Sequence, residues 1–430
     1  MKRRGSIGAV SMLLITAVLV QGVTSAAWAG GLWLYERATP EVGTANAGVA
    51  ARADDASTAT SNPAGMSRLE KPELMLGIQP IIGDVKFQPG PGTANINPRG
   101  PDGSGGLVTP AASLFYVHPL GKDWRVGVSM GSYMGLGVKY EDDWVGRYYV
   151  QQSAFLTANI APTLSYRVTD WLSIGAALTL QSAYLTNTVA LNNTIFGDDG
   201  QVEYKGGSFG IGGGAGILVE PWKGTRFGLT YMSPIEHEFK DTPQFSNAIS
   251  PINQVMAATT GELRIKMTIP QAVMFSVYSQ VTENWAVMGN LGWQNWTQFG
   301  YTGVRVTSTV TDATVNTTAN ANYDDTFHIA VGAHYRFHPL WRATAGFAYD
   351  SSPAGAADRT VAMPLGGQLR YSAGVIYEPN ARFTFGLAYT LIDGGSASID
   401  QSRGPLAGTV QGDFSANYYH VVALYGAARF

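Results

Sequence analysis

Phe327-His328-Ile329-Ala330-Val331-Gly332-Ala333-His334-Tyr335-Arg336-Phe337 is the stretch that decides the fold. Its odd positions are Phe, Ile, Val, Ala, Tyr and Phe, and its even positions are His, Ala, Gly, His and Arg. Successive side chains of a strand point to opposite faces, so one face here is apolar and the other small or polar. A helix would group its apolar residues three and four apart. Residues 382–391 repeat the pattern: Phe383, Phe385, Leu387, Tyr389 and Leu391 stand against Arg382, Thr384, Gly386, Ala388 and Thr390. Leu172, Ile174, Leu178 and Leu180 alternate with Ser173, Gly175, Thr179 and Gln181. Lipid outside and water inside is the environment that suits such strands.

Working outward, fourteen segments of this kind fit the chain: 73–86, 110–118, 124–140, 153–168, 171–190, 206–220, 224–238, 261–281, 284–300, 322–338, 340–351, 369–378, 381–393 and 416–430. The spacers alternate in length. Residues 119–123, 220–224, 337–341 and 378–382 are short turns, whereas 87–109, 141–152, 191–205, 239–260, 301–321, 352–368 and 394–415 are long loops. Bacterial outer-membrane barrels have even strand numbers, short periplasmic turns and longer extracellular loops. The fold class expected is all-β, a transmembrane antiparallel barrel over residues 73–430 with periplasmic termini. Trp124, Trp171, Trp222, Trp285 and Trp341 sit at or beside short turns. They predict an aromatic belt at one membrane interface, where an amphipathic ring is favoured.

The two ends agree with export. Met1-Lys2-Arg3-Arg4, an apolar run over 7–20 and Ala27-Trp28-Ala29 form a secretory signal over residues 1–29. The chain closes on Phe430, and a terminal aromatic on an alternating strand resembles the signal taken by the barrel-assembly machinery. The location expected is the outer membrane of a Gram-negative bacterium, with membrane lipid and lipopolysaccharide as neighbours. There is no cysteine, so no disulfide or thiol chemistry operates. A net charge of −3 gives no electrostatic case for nucleic acid. Mean hydropathy near zero is what strands mixing lipid-facing and lumen-facing residues produce.

Residues 43–66 read GTANAGVAARADDASTATSNPAGM, between the signal and the first strand. Fourteen strands enclose more space than wall side chains fill, since about eight is the self-filling size. A small-residue segment over 30–72 is suited to occupy that space; composition alone equally allows a periplasmic linker. Gly43, Ala47-Gly48, residues 53–58 and Asn62-Pro63-Ala64-Gly65-Met66 resemble the N-terminal hatch of the long-chain fatty acid transporter family, the FadL/TodX-type outer-membrane proteins. Further similar blocks are 110–116, 144–147, 162–167, 226–231 with 233–235, Trp293, Trp296, 346–353 and 371–374.

The resemblance implies a passive transporter for hydrophobic compounds, with long-chain fatty acids first and monoaromatic hydrocarbons as the alternative. It also implies a monomer, a hatch built on Asn62, Pro63 and Ala64, and a substrate-facing N-terminus at Leu32, Trp33 and Leu34. A kinked third strand would leave a lateral exit. Gly131, Gly135 and Gly137 mark the place for the kink, because Gly inside a strand often signals a bend. Those glycines could instead make room for the hatch, and the glycine-rich stretch 206–216 is a rival site.

Arg264, Lys266 and Thr268 share a strand face opposite Leu263, Ile265 and Met267. They are candidate lumenal contacts for a carboxylate, or else partners of nearby acids. The six histidines form no catalytic motif; His328 and His334 stand about 20 Å apart along one strand. No enzyme activity, cofactor or metal is expected. A surface adhesin or receptor barrel without transport is the remaining alternative, though it needs no hatch.

Overall fold

The computed structural model describes residues 33–94, 100–364 and 366–430. The expected signal segment and Leu32 lie outside them. Fourteen antiparallel strands form the wall. They are β1 Glu73–Pro89, β2 Val108–Leu120, β3 Trp124–Gly131 continued by Gly135–Lys139, β4 Gln152–Arg167, β5 Leu172–Leu191 and β6 Gly200–Trp222. Then follow β7 Thr225–Met232 continued by Ile235–Asp241, β8 Thr260–Ile269 continued by Ala272–Gln280, and β9 Trp285–Gln294. The last five are β10 Thr326–His338, β11 Trp341–Asp350, β12 Gln368–Tyr377, β13 Phe383–Asp393 and β14 Thr409–Arg429. Each pairs with its sequence neighbour, and β1 closes on β14 from Glu73↔Arg429 to Pro89↔Gly412. Closure pairs the wall edges all round except along the upper parts of β2 and β3, which matters because an unsatisfied backbone group in lipid costs several kcal/mol.

The five turn-side tryptophans are all exposed, from 37% for Trp341 to 61% for Trp222. Three lie against a cross-strand tyrosine with centroids 4.4–4.5 Å apart: Trp285 and Trp341 stack on Tyr335 and Tyr377, and Trp124 tilts on Tyr166. Ile78, Leu291, Phe327 and Leu424 lie on the exposed outer face.

Toward the long loops this pattern inverts. On β7, Arg226, Gly228 and Thr230 face inward, but past residues 233–234 the buried residues are Ile235, His237 and Phe239. On β8 the inward set changes from Leu263, Ile265, Met267 and Ile269 to Ala272, Ser276 and Tyr278 across residues 270–271. A one-residue slip sends every following side chain to the other face. The slip falls where lipid gives way to water, so apolar groups that face out lower down turn inward above. Pro234 and Pro270 occupy the breaks, where a missing N–H costs no ladder bond. Above them β7 and β8 join a hairpin, Tyr301–Ser308 with Thr314–Asn320, in a separate four-stranded sheet. Residues 301–321, expected as a loop, are thus mostly strand. The ninth wall strand stops at Gln294 rather than 300.

Residues 33–72 run inside the barrel as short 3-10 and helical turns, Pro40–Thr44, Thr58–Ser61 and Pro63–Arg68. Three-quarters of these residues are buried, with Ala38, Ala45, Ala47, Ala50, Ala51, Ala56, Ala59 and Ala64 fully so. Small side chains let this backbone approach the wall. A Cβ on Gly228 would fall 1.9 Å from the Ala50 carbonyl oxygen, and one on Gly346 2.0 Å from that of Thr44. Wall side chains satisfy the irregular backbone. Asn290 accepts from the Gly48 N–H and donates to the Asn46 carbonyl, while Thr390 donates to Val42 and Arg125 to Leu69.

Candidate functional site

The wall is interrupted at β3. Its ladder with β2 ends at Leu114↔Met130, and its ladder with β4 resumes at Gly135↔Leu156 after Gly131↔Asn159. Four steps on β3 therefore match three on β4, which is a bulge of one residue. Below the bulge Arg125 and Ser129 face inward; above it Met134, Val138 and Tyr140 do. Residues 108–113 of β2 pair with β1 only, and the upper part of β3 pairs with β4 only. A window without ladder hydrogen bonds separates them. Gly131 and Gly135 flank the bulge, and Gly137 lies on the upper part of β3.

The N-terminal segment stands at the inner side of this window. Trp33 forms an isolated antiparallel bridge with Met134, and the Leu34 N–H donates to the Tyr133 carbonyl at 2.9 Å. A Cβ on Gly135 would touch Leu34 Cδ1 at 3.4 Å, and one on Gly137 would fall 2.2 Å from Leu107 Cδ2. Trp33 belongs to a large buried cluster with Tyr35, Met134, Tyr140, Trp144, Phe155, Phe239, Ile265, Trp296 and Phe299. A small cavity of ≈ 40 Å³ beside it is lined by Trp33, Tyr35, Met232, Ala272, Met274 and Trp293 among others.

Asn62 anchors the segment lower down. Its Nδ2 donates to the Ala50 carbonyl at 2.6 Å and to the Ile217 carbonyl of β6 at 3.1 Å, and its Oδ1 accepts from the Ala64 N–H. Pro63 opens the following 3-10 turn, where its absent N–H loses nothing. Gly216 in the glycine-rich part of β6 gives Asn62 its space, since a Cβ there would lie 2.0 Å from Oδ1. Higher up, Gly206, Gly210 and Gly212 instead admit Phe239 and Ile235 of β7. Gly206, Gly210, Gly212 and Gly216 thus make room for neighbours while β6 runs unbroken.

Charge pairs fasten the segment at the short-turn end. Arg52 binds Glu41 at 2.8 Å and also Asp55, Arg226 binds Asp54 at 2.7 Å, and Arg68 meets Glu220. All of these but Glu41 line a cavity of ≈ 590 Å³. Burial opposes ionisation of Asp54, but the guanidinium groups of Arg226 and Arg52 outweigh it and hold the carboxyl well below its ordinary 3.8. A depressed folded-state pKa contributes stability above the unfolded value, lost as pH falls through the folded one. Limited proteolysis of residues 33–72 should therefore stay slow at neutral pH and rise below about pH 4. Asp54→Asn should raise cleavage at neutral pH and flatten the acid response; an unchanged profile would remove Asp54 as an anchor.

Arg264 and Lys266 do not face the lumen. Arg264 pairs with Glu262 and Glu238, and Lys266, 55% exposed, with Glu236 at 2.9 Å. Leu263, Ile265 and Met267 occupy the inner side. The strand passes through water at this height, so its charged face turns outward.

Pairing missed in the sequence lies deeper. Arg370 of β12 binds Glu36 at 2.6 Å and Asp350 at 2.8 Å, and His328 Nδ1 meets Asp350 at 2.8 Å. The partners are up to 334 residues apart, beyond any local pattern. At the long-loop end, Ile195, Phe196, Ile249, Ile252 and Val255 stand exposed, on two segments joined where Asn253 donates to the Asn192 carbonyl and to Asn193 Oδ1. Ile252 and Val255 form the outer face of helix Pro251–Thr259, which Ser250 caps by accepting from Asn253 N–H. Among the described residues no His, Cys, Asp and Glu cluster could hold a metal.

Comparison with known proteins gives one picture. Residues 20–429 match the family described as outer membrane protein transport protein (OMPP1/FadL/TodX). The long-chain fatty acid transport protein of Escherichia coli (strain K12) is 26% identical over 422 residues, covering 90% of this chain and 92% of the relative. The crystal structure of a Pseudomonas aeruginosa FadL homologue superposes with TM-score 0.82 at 21% identity, over 93% of this chain and 100% of that one. The P. putida toluene transporter TodX gives 0.67 at 17%, over 87% and 94%. An integral outer-membrane barrel with a wall window and a filled lumen, matched over nearly its whole length, belongs to the outer membrane protein transport family of OMPP1, FadL and TodX.

Proposed function

We propose that this protein takes up hydrophobic compounds, chiefly long-chain fatty acids, across the outer membrane by hatch-gated diffusion through its own wall. Residues 30–72 are the hatch and the window between β2 and β3 is the exit. Exposed Ile195, Phe196, Ile252 and Val255 catch the apolar chain among the extracellular loops. The buried cluster around Trp33 receives it. Withdrawal of Trp33 and Leu34 from β3 then joins this chamber to the window. The observation that carries the reading is the bond between Leu34 and Tyr133 at the edge of an unladdered wall.

Energetically the route is downhill. Transferring apolar surface between apolar environments avoids the aqueous step, where each CH₂ exposed costs about 0.8 kcal/mol. A water-filled path to the periplasm would offer no such match, and the short-turn cavity is lined by Arg52, Asp54, Arg226 and Glu378. A single barrel suffices, because the exit lies in its own wall. Bilayer lipid is the acceptor, and lipopolysaccharide surrounds the loops.

Uptake of radiolabelled oleate and of toluene by a transporter-deleted host carrying this chain tests the reading. Oleate accumulation is expected. Toluene uptake alone would keep the route and change the substrate class; neither, despite verified insertion, would favour a surface receptor. Ile252→Glu with Val255→Glu should weaken capture and lower oleate uptake at limiting oleate but not at saturation. Equal loss at both concentrations would count against capture by these loops.

A further inference from the structure

We infer that Arg370 is a receptor for the carboxylate of an acidic ligand, and that Glu36 holds that place until the ligand displaces it. The inference rests on the transport reading above and adds the step that tells an acid from a hydrocarbon.

Arg370 is 2% exposed. Its three nitrogens each donate once: Nη1 to Glu36 Oε1 at 2.6 Å, Nε to Asp350 Oδ2 at 2.8 Å and Nη2 to Gln368 Oε1 at 2.9 Å. Two of the three acceptors belong to wall strands. The third, Glu36, belongs to the stretch that also carries Trp33 and Leu34. Glu36 is fully buried as a side chain, yet its Oε2 has no hydrogen-bond partner among the described residues. A buried carboxylate oxygen without a donor is costly, so Glu36 fills a site it satisfies by half.

Tyr35 covers this site. Its ring stacks on His328 at 4.3 Å and lies 5.1 Å from the Arg370 guanidinium carbon. Its hydroxyl accepts from Gln294 Nε2 at 2.7 Å. The same ring lines the small cavity with Met232, Ala272 and Met274. That ≈ 40 Å³ gap admits only a group or two of an alkyl chain unless its lining gives way, and the carboxylate seat lies on the other side of the same aromatic ring. A chain entering that cavity must press on Tyr35, which adjoins Glu36 in sequence.

Charge favours exchange over addition. Arg370 and Asp350 cancel, and Glu36 supplies a further negative charge. A ligand carboxylate replacing Glu36 leaves the buried charge unchanged, whereas adding one beside it would bury an unpaired charge. An uncharged ligand gives Arg370 no substitute partner, so Glu36 stays. Release of Glu36 would free residues 33–37 from β12 and with them the Leu34 contact at the window. The ligand class is a long-chain monocarboxylate.

The test is equilibrium binding of oleate and oleyl alcohol to purified full-length protein at mildly alkaline pH, wild type against Glu36→Gln. Gln keeps the shape of Glu and removes the competing charge. Oleate should bind about tenfold tighter to Glu36→Gln, the scale of one charge-assisted hydrogen bond, with oleyl alcohol unchanged. Arg370→Gln, with barrel folding checked by heat-modifiable mobility, should bring oleate down to the alcohol's affinity. If both ligands bind wild type and Glu36→Gln shifts them equally, or shifts oleate not at all, the exchange site is wrong and the transport reading stands. If wild type binds neither, both fall.

Discussion

Oleate uptake should fall about tenfold or more when Gly135 and Gly137 are both replaced by valine, the change produced by a barrier roughly 1.4 kcal/mol higher. The two glycines line the window from β3. A Cβ at 137 would overlap Leu107 Cδ2 and one at 135 would meet Leu34 Cδ1. Two isopropyl groups therefore enter space that a ligand must cross, and overpacking costs about 1–3 kcal/mol at each site. The barrel should still form despite that cost, since the upper part of β3 keeps its ladder to β4 and valine suits a strand; heat-modifiable mobility checks it. A reversible version uses the absence of native cysteine. A Cβ on Gly131 lies 3.7 Å from Ser113 Cβ, within disulfide range. Ser113→Cys with Gly131→Cys should cut uptake when oxidised and recover it on reduction. Undiminished uptake in both variants would rule out exit between β2 and β3.

Asn62→Ala should turn a closed barrel into a leaky one. Asn62 is fully buried and its side chain makes three hydrogen bonds, two within the N-terminal segment and one to β6. Alanine removes all three and strands the Ala50 carbonyl and the Ala64 N–H, each orphan costing about 1–3 kcal/mol. The loss falls on a segment whose turns are too short to hold themselves, so the packing around Ala50 and Ala64 loosens with it. Fourteen strands enclose more volume than their side chains fill, so loosening admits water and ions. Planar-bilayer recordings should show frequent conducting openings in Asn62→Ala and rare ones in wild type. Equal quiet in both would mean that Asn62 does not keep the lumen closed.

The strand count was legible because lipid and lumen impose opposite demands on alternate residues, as in residues 327–337. The same rule misplaced Arg264 and Lys266. Alternation tells that a strand has two faces; it does not tell which is inner once the strand leaves the bilayer. There water takes the outside, and the apolar Ile265 and Met267 turn in. The breaks at 233–234 and 270–271 carry that inversion, and their prolines were visible without their meaning. The bulge in β3 lies beside glycines legible in sequence, yet its one-residue slip appears only when the β3 and β4 registers are compared. Arg370 and Glu36 could not be paired at all, because nothing local couples residues so far apart.

The arrangement of the indoles has an optical consequence. Trp124, Trp171, Trp222, Trp285 and Trp341 sit at the bilayer rim, whereas Trp33, Trp144 and Trp296 are at most 5% exposed inside the protein. Brominated phospholipid should quench the emission of the first group and spare the second, and a brominated fatty acid lodged near Trp33 should do the reverse. One unlabelled sample thus reports membrane insertion and chamber occupancy as separate fluorescence signals.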